Sequence, residues 1–217
     1  MATPTVSQHH TRESTAHDIT PGLAPRGQVR WNFGPEALYE AAVRRGEGQI
    51  ARGGAFIAVT TPHTGRSPND KFVLREPLTE QDVWWGKVNQ PIEPAQYEAL
   101  RKDLLAYLGA RDELFVRDLF AGADPRHRVP VRFVTTGAWQ ALFVHNMFLR
   151  PSAAELAGFA PGFTVLHAPE FTADPARHGT RSGTFIVLNL RDRIALIGGT
   201  RYAGEMKKSM FTVLNSL

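Results

Sequence analysis

The 217-residue chain contains no cysteine. Disulfides and thiolate metal sites are therefore excluded, which is compatible with a reducing cytosol. No apolar run approaches the ~18 residues that span a bilayer, and the N-terminus lacks a hydrophobic signal core. Lys and Arg never run more than two together. That leaves no basic stripe of the kind that tracks nucleic acid, so a nucleic-acid partner would rest on the basic balance alone.

The composition that remains is 42% hydrophobic and 21% charged, ordinary for a globular protein in water. Formal charge is +4 and the pI about 9.7, which suits anionic small molecules. The length allows one sizeable core or one large α/β domain.

Residues 1–27 are rich in Thr, Ser, His and Pro and read as a disordered N-terminal tail. Metal binding by His9, His10 and His17 there would be adventitious. Pro35 opens a helix whose core side is Leu38, Ala41, Ala42 and Val43, stopped at Gly46. Ala55–Thr60 reads as a short buried strand. It runs into a loop, Thr61 to Pro68, punctuated by two prolines and a glycine, with Arg66 at the tip. Lys71 to Arg75 forms the next strand. Pro94 to Leu108 is the clearest helix, with Tyr97, Leu100, Leu104 and Leu108 on one face. Strands follow at 113–117 and 131–135. A helix at 138–149 faces the core with Trp139, Leu142, Phe143 and Met147. The last strands are 163–167, 184–190 and 193–197. A tight turn at Arg191-Asp192 makes a hairpin of the final two. This alternation implies a mixed α/β sheet with flanking helices, and no linker interrupts residues 30–217.

The stretch Leu196 to Met210, LIGGTRYAGEMKKSM, organises the rest. A strand, a glycine break and a helix N-terminus form an arrangement that gathers anions, and the glycines let backbone approach a ligand. It is not a P-loop: Gly199 and Gly204 have the spacing, but Glu205-Met206 delay the lysine. No other stretch fits better. Met206, Met210, Val213 and Leu217 make one apolar stripe. Lys208 lies roughly 200° from Met206 at ~100° per residue. Lys207 falls nearer Phe211 and Leu214. Spacing alone leaves open a surface helix with two solvated lysines. Adjacent lysines also repel, which favours loss of a proton from one and would make it a metal ligand or proton donor.

Arg66 presents a planar fork that matches a carboxylate in two parallel bonds. An exposed loop arginine is the plain alternative. His63, His127, His145, His167 and His178 show no metal-ligand spacing and read as structural or surface residues. Trp84-Trp85 reads as buried packing rather than a ligand platform. Arg117, Asp118 and Arg181 could serve a carboxylate or pair with acids.

Ile197-Gly-Gly-Thr-Arg-Tyr-Ala-Gly-Glu-Met-Lys-Lys-Ser-Met-Phe211 closely resembles the lysine-pair segment of ATP-dependent phosphoenolpyruvate carboxykinase. Thr64-Gly-Arg-Ser-Pro-Asn-Asp-Lys71 resembles that family's oxaloacetate-binding loop. Weaker matches follow in family order: Trp84 to Pro91, Phe120 to Pro125 and His178 to Ser182. The resemblance runs from about Trp31 to the last residue and covers roughly the N-terminal half of the enzyme. It implies that residues 28–217 are a truncated N-terminal substrate-binding domain of that fold.

What it implies for chemistry is a lyase of gluconeogenesis in the cytoplasm. Oxaloacetate and ATP would give phosphoenolpyruvate, ADP and CO₂ by decarboxylation to an enolate that attacks the γ-phosphoryl group. Carried over residue by residue, Arg66 and Tyr202 bind substrate. Lys208 is a ligand of both substrate and Mn²⁺, and Lys207 stabilises the transferred phosphoryl group. ATP, Mn²⁺ and a nucleotide-bound Mg²⁺ are the implied cofactors. The family's P-loop, its metal-binding His and Asp and a second substrate arginine have no counterpart here. Arg201 stands where the family often has another residue. The expectation is a chain inactive alone, or a non-catalytic dicarboxylate-binding fragment. The complete enzyme is expected to be a monomer with no membrane or nucleic-acid partner, whereas this chain is expected to self-associate through an exposed face of its last helix.

Overall fold

The computed structural model describes residues 19–216. In chain order the elements are β1 (Gln28–Trp31), α1 (Pro35–Arg44), β2 (Gly48–Ile50), β3 (Phe56–Ala58), β4 (Lys71–Leu74), β5 (Gln90–Ile92), α2 (Pro94–Gly109), β6 (Glu113–Ala121), β7 (Val129–Thr135), α3 (Ala138–Met147), α4 (Ala153–Ala157), β8 (Phe163–Ala168), α5 (Pro175–His178), β9 (Phe185–Asn189), β10 (Ile194–Gly198) and α6 (Gly204–Leu214). Eight strands form one mixed sheet in the order β1-β6-β7-β8-β10-β9-β4-β5, as the α/β reading expects.

Because side chains alternate along a strand, the sheet feeds two separate cores. Leu166, Val187 and Leu196 point to the layer built by Tyr97, Leu100, Leu104 and Leu108 of α2. Val165, Ile186, Ala195 and Ile197 point to the other layer, where Met206, Met210 and Val213 of α6 pack. Burial on both faces explains why the central strands read as unbroken apolar runs. Leu38, Ala41 and Ala42 of α1 join this second side with Ala141 and Leu142 of α3.

Strand direction decides where chemistry can collect. β7, β8 and β10 run parallel to one another, and β9 pairs antiparallel to β10. β4 is parallel to β9, and β5 to β4. The carboxyl ends of β7, β8 and β10 therefore share one edge with the amino ends of β4, β5 and β9. Ligands favour the carboxyl ends of parallel strands, and here the starts of three opposed strands add side chains to the same place.

Several expectations need correction. Residues 1–18 lie outside the described residues, but the segment from Ile19 is not a tail. Ile19 and Leu23 are buried, and Arg132 and Arg101 donate to the Ile19 and Pro21 carbonyls. The apolar run at 55–60 is no buried strand: β3 pairs only with β2, and Ile57 and Val59 are exposed. Val43 is 41% exposed, because it falls ~140° round α1 from Leu38 at ~100° per residue. Met147 is exposed too, and α3 buries Ala138, Ala141, Leu142 and Val144 instead. Trp84 is 90% exposed, on a segment without regular structure.

Leu104→Ala is expected to cost ~2–5 kcal/mol, whereas Val43→Ala should change stability by about 0.5 kcal/mol or less. Urea denaturation of the two variants checks the assignment, and equal losses would refute it.

Candidate functional site

The edge holding the ends of β10, β4 and β9 gathers the loop after β3 and the first turns of α6. Gly198 and Gly199 do make the sharp turn, Gly199 at φ +68°. The room left by their missing side chains is filled by the protein itself. A Cβ on Gly199 would sit 2.5 Å from the Gly183 carbonyl, and one on Gly198 would strike the Phe185 ring at 2.5 Å. The glycines are needed for chain-to-chain packing and not, as the sequence suggests, for close approach of a ligand. Gly204 similarly makes room for the Tyr202 ring, 2.5 Å from where its Cβ would lie.

Three contacts pin the Arg66 loop onto this frame. The Ser67 backbone N–H donates to Glu205 Oε1 at 2.6 Å. The Thr184 hydroxyl donates to the Gly199 carbonyl at 3.0 Å and meets His63 Nε2 at 2.9 Å. That geometry gives His63 its Nε2–H form, and its Nδ1 faces the Ser67 hydroxyl at 3.4 Å. Asp70, buried in the short 3₁₀ turn Pro68–Asp70, accepts from Ser182 Oγ at 2.9 Å and pairs with Arg181 at 3.3 Å. Arg181 is thus paired with an acid, one of the two roles its sequence position allowed.

Glu205 and Lys208, three apart on α6, share a face. Glu205 is only 5% exposed. Burial pushes its carboxyl above the usual range, opposed by the Ser67 N–H and the charge of Arg66. Lys71 opens β4 beside them and donates to Asn89 Oδ1 at 2.8 Å and Thr212 Oγ1 at 3.1 Å. Burial first, then the charge of Lys208, lowers its proton affinity, while Glu205 acts the other way. Lys208 also stands 4.0 Å over the Phe211 ring.

The structure therefore brings Arg66, Lys208, Lys71 and Glu205 into one electrostatic cluster. Arg66 itself is exposed and makes no hydrogen bond or ion pair among the described residues. Tyr202 lies half-buried at the start of α6, its N–H donating to Thr200 Oγ1 at 3.1 Å. Lys207 is not drawn in: it is exposed and unpaired among the described residues. The charge of Lys208 acts on Lys71, a neighbour in space and not in sequence. Sequence reasoning missed Lys71 and Glu205. Their signal was present, since Lys71 closes the Thr64–Lys71 motif and Glu205 precedes Lys208 by three.

The histidines are structural, as expected. His167 is buried between Thr135 Oγ1 and the Thr200 carbonyl, each at 3.1 Å, and burial pushes it down to about 4. His145 is likewise pushed down to about 4, by burial and then Arg117 and Arg150. Arg117 meets the Phe33 carbonyl and His145, while Asp118 pairs with Arg132 at 2.7 Å.

The residues present do not fit Mn²⁺. Among the described residues no group of three His, Cys, Asp or Glu could hold a metal ion. The one carboxylate beside Lys208 on α6, Glu205, already accepts the Ser67 N–H through Oε1. Also among the described residues, no helix is long and apolar enough to cross a membrane.

The family model described as phosphoenolpyruvate carboxykinase matches residues 27–217. Relatives named phosphoenolpyruvate carboxykinase (ATP) include that of Mesorhizobium japonicum, 53% identical over 194 residues, which are 89% of this chain and 36% of the relative. That of Rhizobium leguminosarum bv. trifolii is 51% identical over 198 residues, 91% of this chain and 37% of the relative. The Thermus thermophilus protein is 51% identical over 200 residues, 90% of this chain and 38% of the relative. The chain thus spans under two-fifths of the length of these relatives.

Two outcomes are expected. Micromolar Mn²⁺ should leave the melting temperature unchanged; a saturable rise would show a metal site that the donor set lacks. Glu205→Gln keeps an oxygen for the Ser67 N–H but removes the charge. A carboxyl with a raised folded pKa contributes stability below its unfolded pKa that is lost as pH rises through the folded value. The variant should therefore gain on the wild type as pH rises from 4 toward 7. Denaturant midpoints across that range test it, and a pH-independent difference would contradict it.

Proposed function

Because the chain belongs to the phosphoenolpyruvate carboxykinase family, we propose that its cationic edge is the oxaloacetate-binding part of the ATP-dependent reaction. The observation that carries this reading is the charge of the cluster. Arg66 and Lys71 act on one carboxylate, Glu205, and Lys208 on Lys71, while Asp70 and Arg181 cancel each other. Three positive charges less one negative leave +2, the complement of a dicarboxylate.

In this reading Arg66 clamps one carboxylate with its guanidinium fork. Tyr202 lies against the substrate at the start of α6. Lys208 lies toward the carbonyl oxygen that becomes the enolate when CO₂ leaves, and a cation placed there stabilises the charge as it develops. Lys71, set behind Lys208, holds the surplus positive charge in place. Lys207 is the candidate for contact with the transferred phosphoryl group, and its exposure is compatible with that. No P-loop occurs in the 217 residues, so nucleotide binding is assigned to none of them, and Lys207 is the one residue given a part in phosphoryl transfer. The chain by itself binds the dicarboxylate without turning it over. The whole reaction is a cytoplasmic lyase step of gluconeogenesis. Exposed Phe211 and Leu214 on α6 support self-association of the isolated chain.

Calorimetric titration with oxalate, a stable dicarboxylate, tests the site. Binding should weaken ~10-fold or more in Arg66→Lys, which keeps the charge but loses the fork. Lys207→Gln should leave it within about 2-fold, as expected of a solvated charge. Equal effects would make Arg66 structural. A parallel assay for phosphoenolpyruvate from oxaloacetate and ATP should stay at the no-protein baseline; turnover above it would reveal a nucleotide site not identified here.

A further inference from the structure

We propose that a second, separate anion site lies along the same edge of the sheet, in the cavity between Arg111 and Arg201. Its ligand would be a small oxyanion with at least two negative charges.

The cavity has a volume of about 250 Å³. It opens beside the end of β7 and the start of β6, and Arg66 is not among its lining residues. Its wall holds three guanidiniums, Arg45, Arg111 and Arg201, against two carboxylates, Glu47 and Glu170. The charges are not equally available. Arg45 is fully engaged, donating to Glu47 at 2.6 Å, Glu113 at 3.1 Å and the Thr136 carbonyl at 2.8 Å. Glu47 in turn accepts from the Ala138 and Trp139 N–H groups at 3.2 and 2.6 Å. These two residues build the wall.

Arg111 and Arg201 are less engaged. Arg111 lies 4.2 Å from the Tyr107 ring centre and donates Nε to the Tyr107 carbonyl at 3.2 Å, with its guanidinium also beside the Tyr107 hydroxyl. Arg201 uses only Nε, on Glu170 at 3.2 Å, and both side chains of that pair are nearly half exposed. Among the described residues the terminal nitrogens of Arg201 have no partner. An exposed ion pair is weak enough for a multivalent anion to compete with Glu170 for Arg201.

A second observation points to the same place. Four buried side-chain polar atoms lack a hydrogen-bond partner among the described residues, and two belong to residues that line this cavity: the Thr136 hydroxyl and the Trp139 indole N–H. Thr136 is 5% exposed. Both groups are donors, and buried donors without acceptors are uncommon and costly. An anion with several acceptor oxygens is the ligand class that answers the unpaired donors and the open guanidinium of Arg201 together. The volume is below the ~300–1,000 Å³ of drug-sized pockets, which limits the ligand to roughly a phosphate or a small polycarboxylate. The Gln140 amide donates to the Arg201 carbonyl at 3.2 Å. It fixes the segment between this cavity and Tyr202, so the two sites adjoin without sharing a side chain.

The test uses the ¹⁵N-labelled 217-residue chain, titrated with citrate and separately with inorganic phosphate at constant ionic strength. The Trp139 indole N–H signal, identified by its loss in Trp139→Phe, is the readout. One or both anions should shift it saturably together with the Gly137 and Gln140 amides, while the exposed Trp84 indole stays still. Arg111→Gln and Arg201→Gln should each weaken the response ~10-fold or more. Glu170→Gln should strengthen it by freeing Arg201, and Arg66→Gln should leave it unchanged. A stronger response to citrate assigns the site to polycarboxylates, and a stronger one to phosphate assigns it to phosphates or their esters. The proposal is overturned if no signal saturates in the millimolar range. It is equally overturned if chloride at matched ionic strength reproduces the shift, or if neither arginine substitution weakens it.

Discussion

One hydrogen bond, from the Ser67 N–H to Glu205, joins parts of the chain 138 residues apart. It fixes the loop that presents Arg66 relative to the helix that presents Lys208. The loop has only a short 3₁₀ turn of its own, so its position is borrowed. The other two borrowed anchors, Thr184 and Ser182, lie just ahead of β9. They reach the site because β9 turns back antiparallel on β10, with Phe185 opposite Gly198. The left-handed turn at Gly199 then lets α6 start close above Gly183 and Thr184. Hairpin, glycine turn, loop and helix form one mechanical unit.

That unit works against stability at its centre. Burial raises Glu205 and lowers Lys71, so it works against the charged form of each. A protein selected only for stability would place apolar groups there, as it does at Met206 and Met210 on the other flank of α6. Shifts of opposite sign on neighbouring acid and base, at a strand edge, mark a place where charge is retained for use.

The sequence made the interior legible because β9, β10 and α2 repeat their apolar residues with clear periods and bury them completely. It misled where an apolar run had no partner layer. Ala55–Thr60 has the composition of a core strand, but only the three-residue β2 pairs with it. Trp84 has the size of a core residue but sits between elements. The short outer strands β1 and β5 carry too few residues for a period to show. At the site, the motifs pointed to Arg66, Tyr202 and Lys208, and the structure gathers Arg66 and Lys208 about one carboxylate. Lys71 and Glu205 escaped because their meaning is tertiary. Each looks like an ordinary solvated charge until β4 and the first turn of α6 are set side by side. The same blindness made Lys207 look like the partner of Lys208, since adjacency in sequence stood in for adjacency in space.

The division of labour among the cations follows from their depth. Arg66 is exposed, so water and salt screen its field and it acts mainly at contact, through its fork. Lys71 and Lys208 are partly buried, where the effective dielectric is lower and each charge is worth more. In the proposed reading a dianion would meet the exposed guanidinium first and the partly buried lysines next. Glu205 keeps the empty site from holding three unbalanced cations, and its hydrogen bond to Ser67 stops it from reaching out to neutralise Arg66. A carboxylate free to rotate would quench the cluster. One tied to the backbone lowers the repulsion among the cations and leaves their outward field for the substrate.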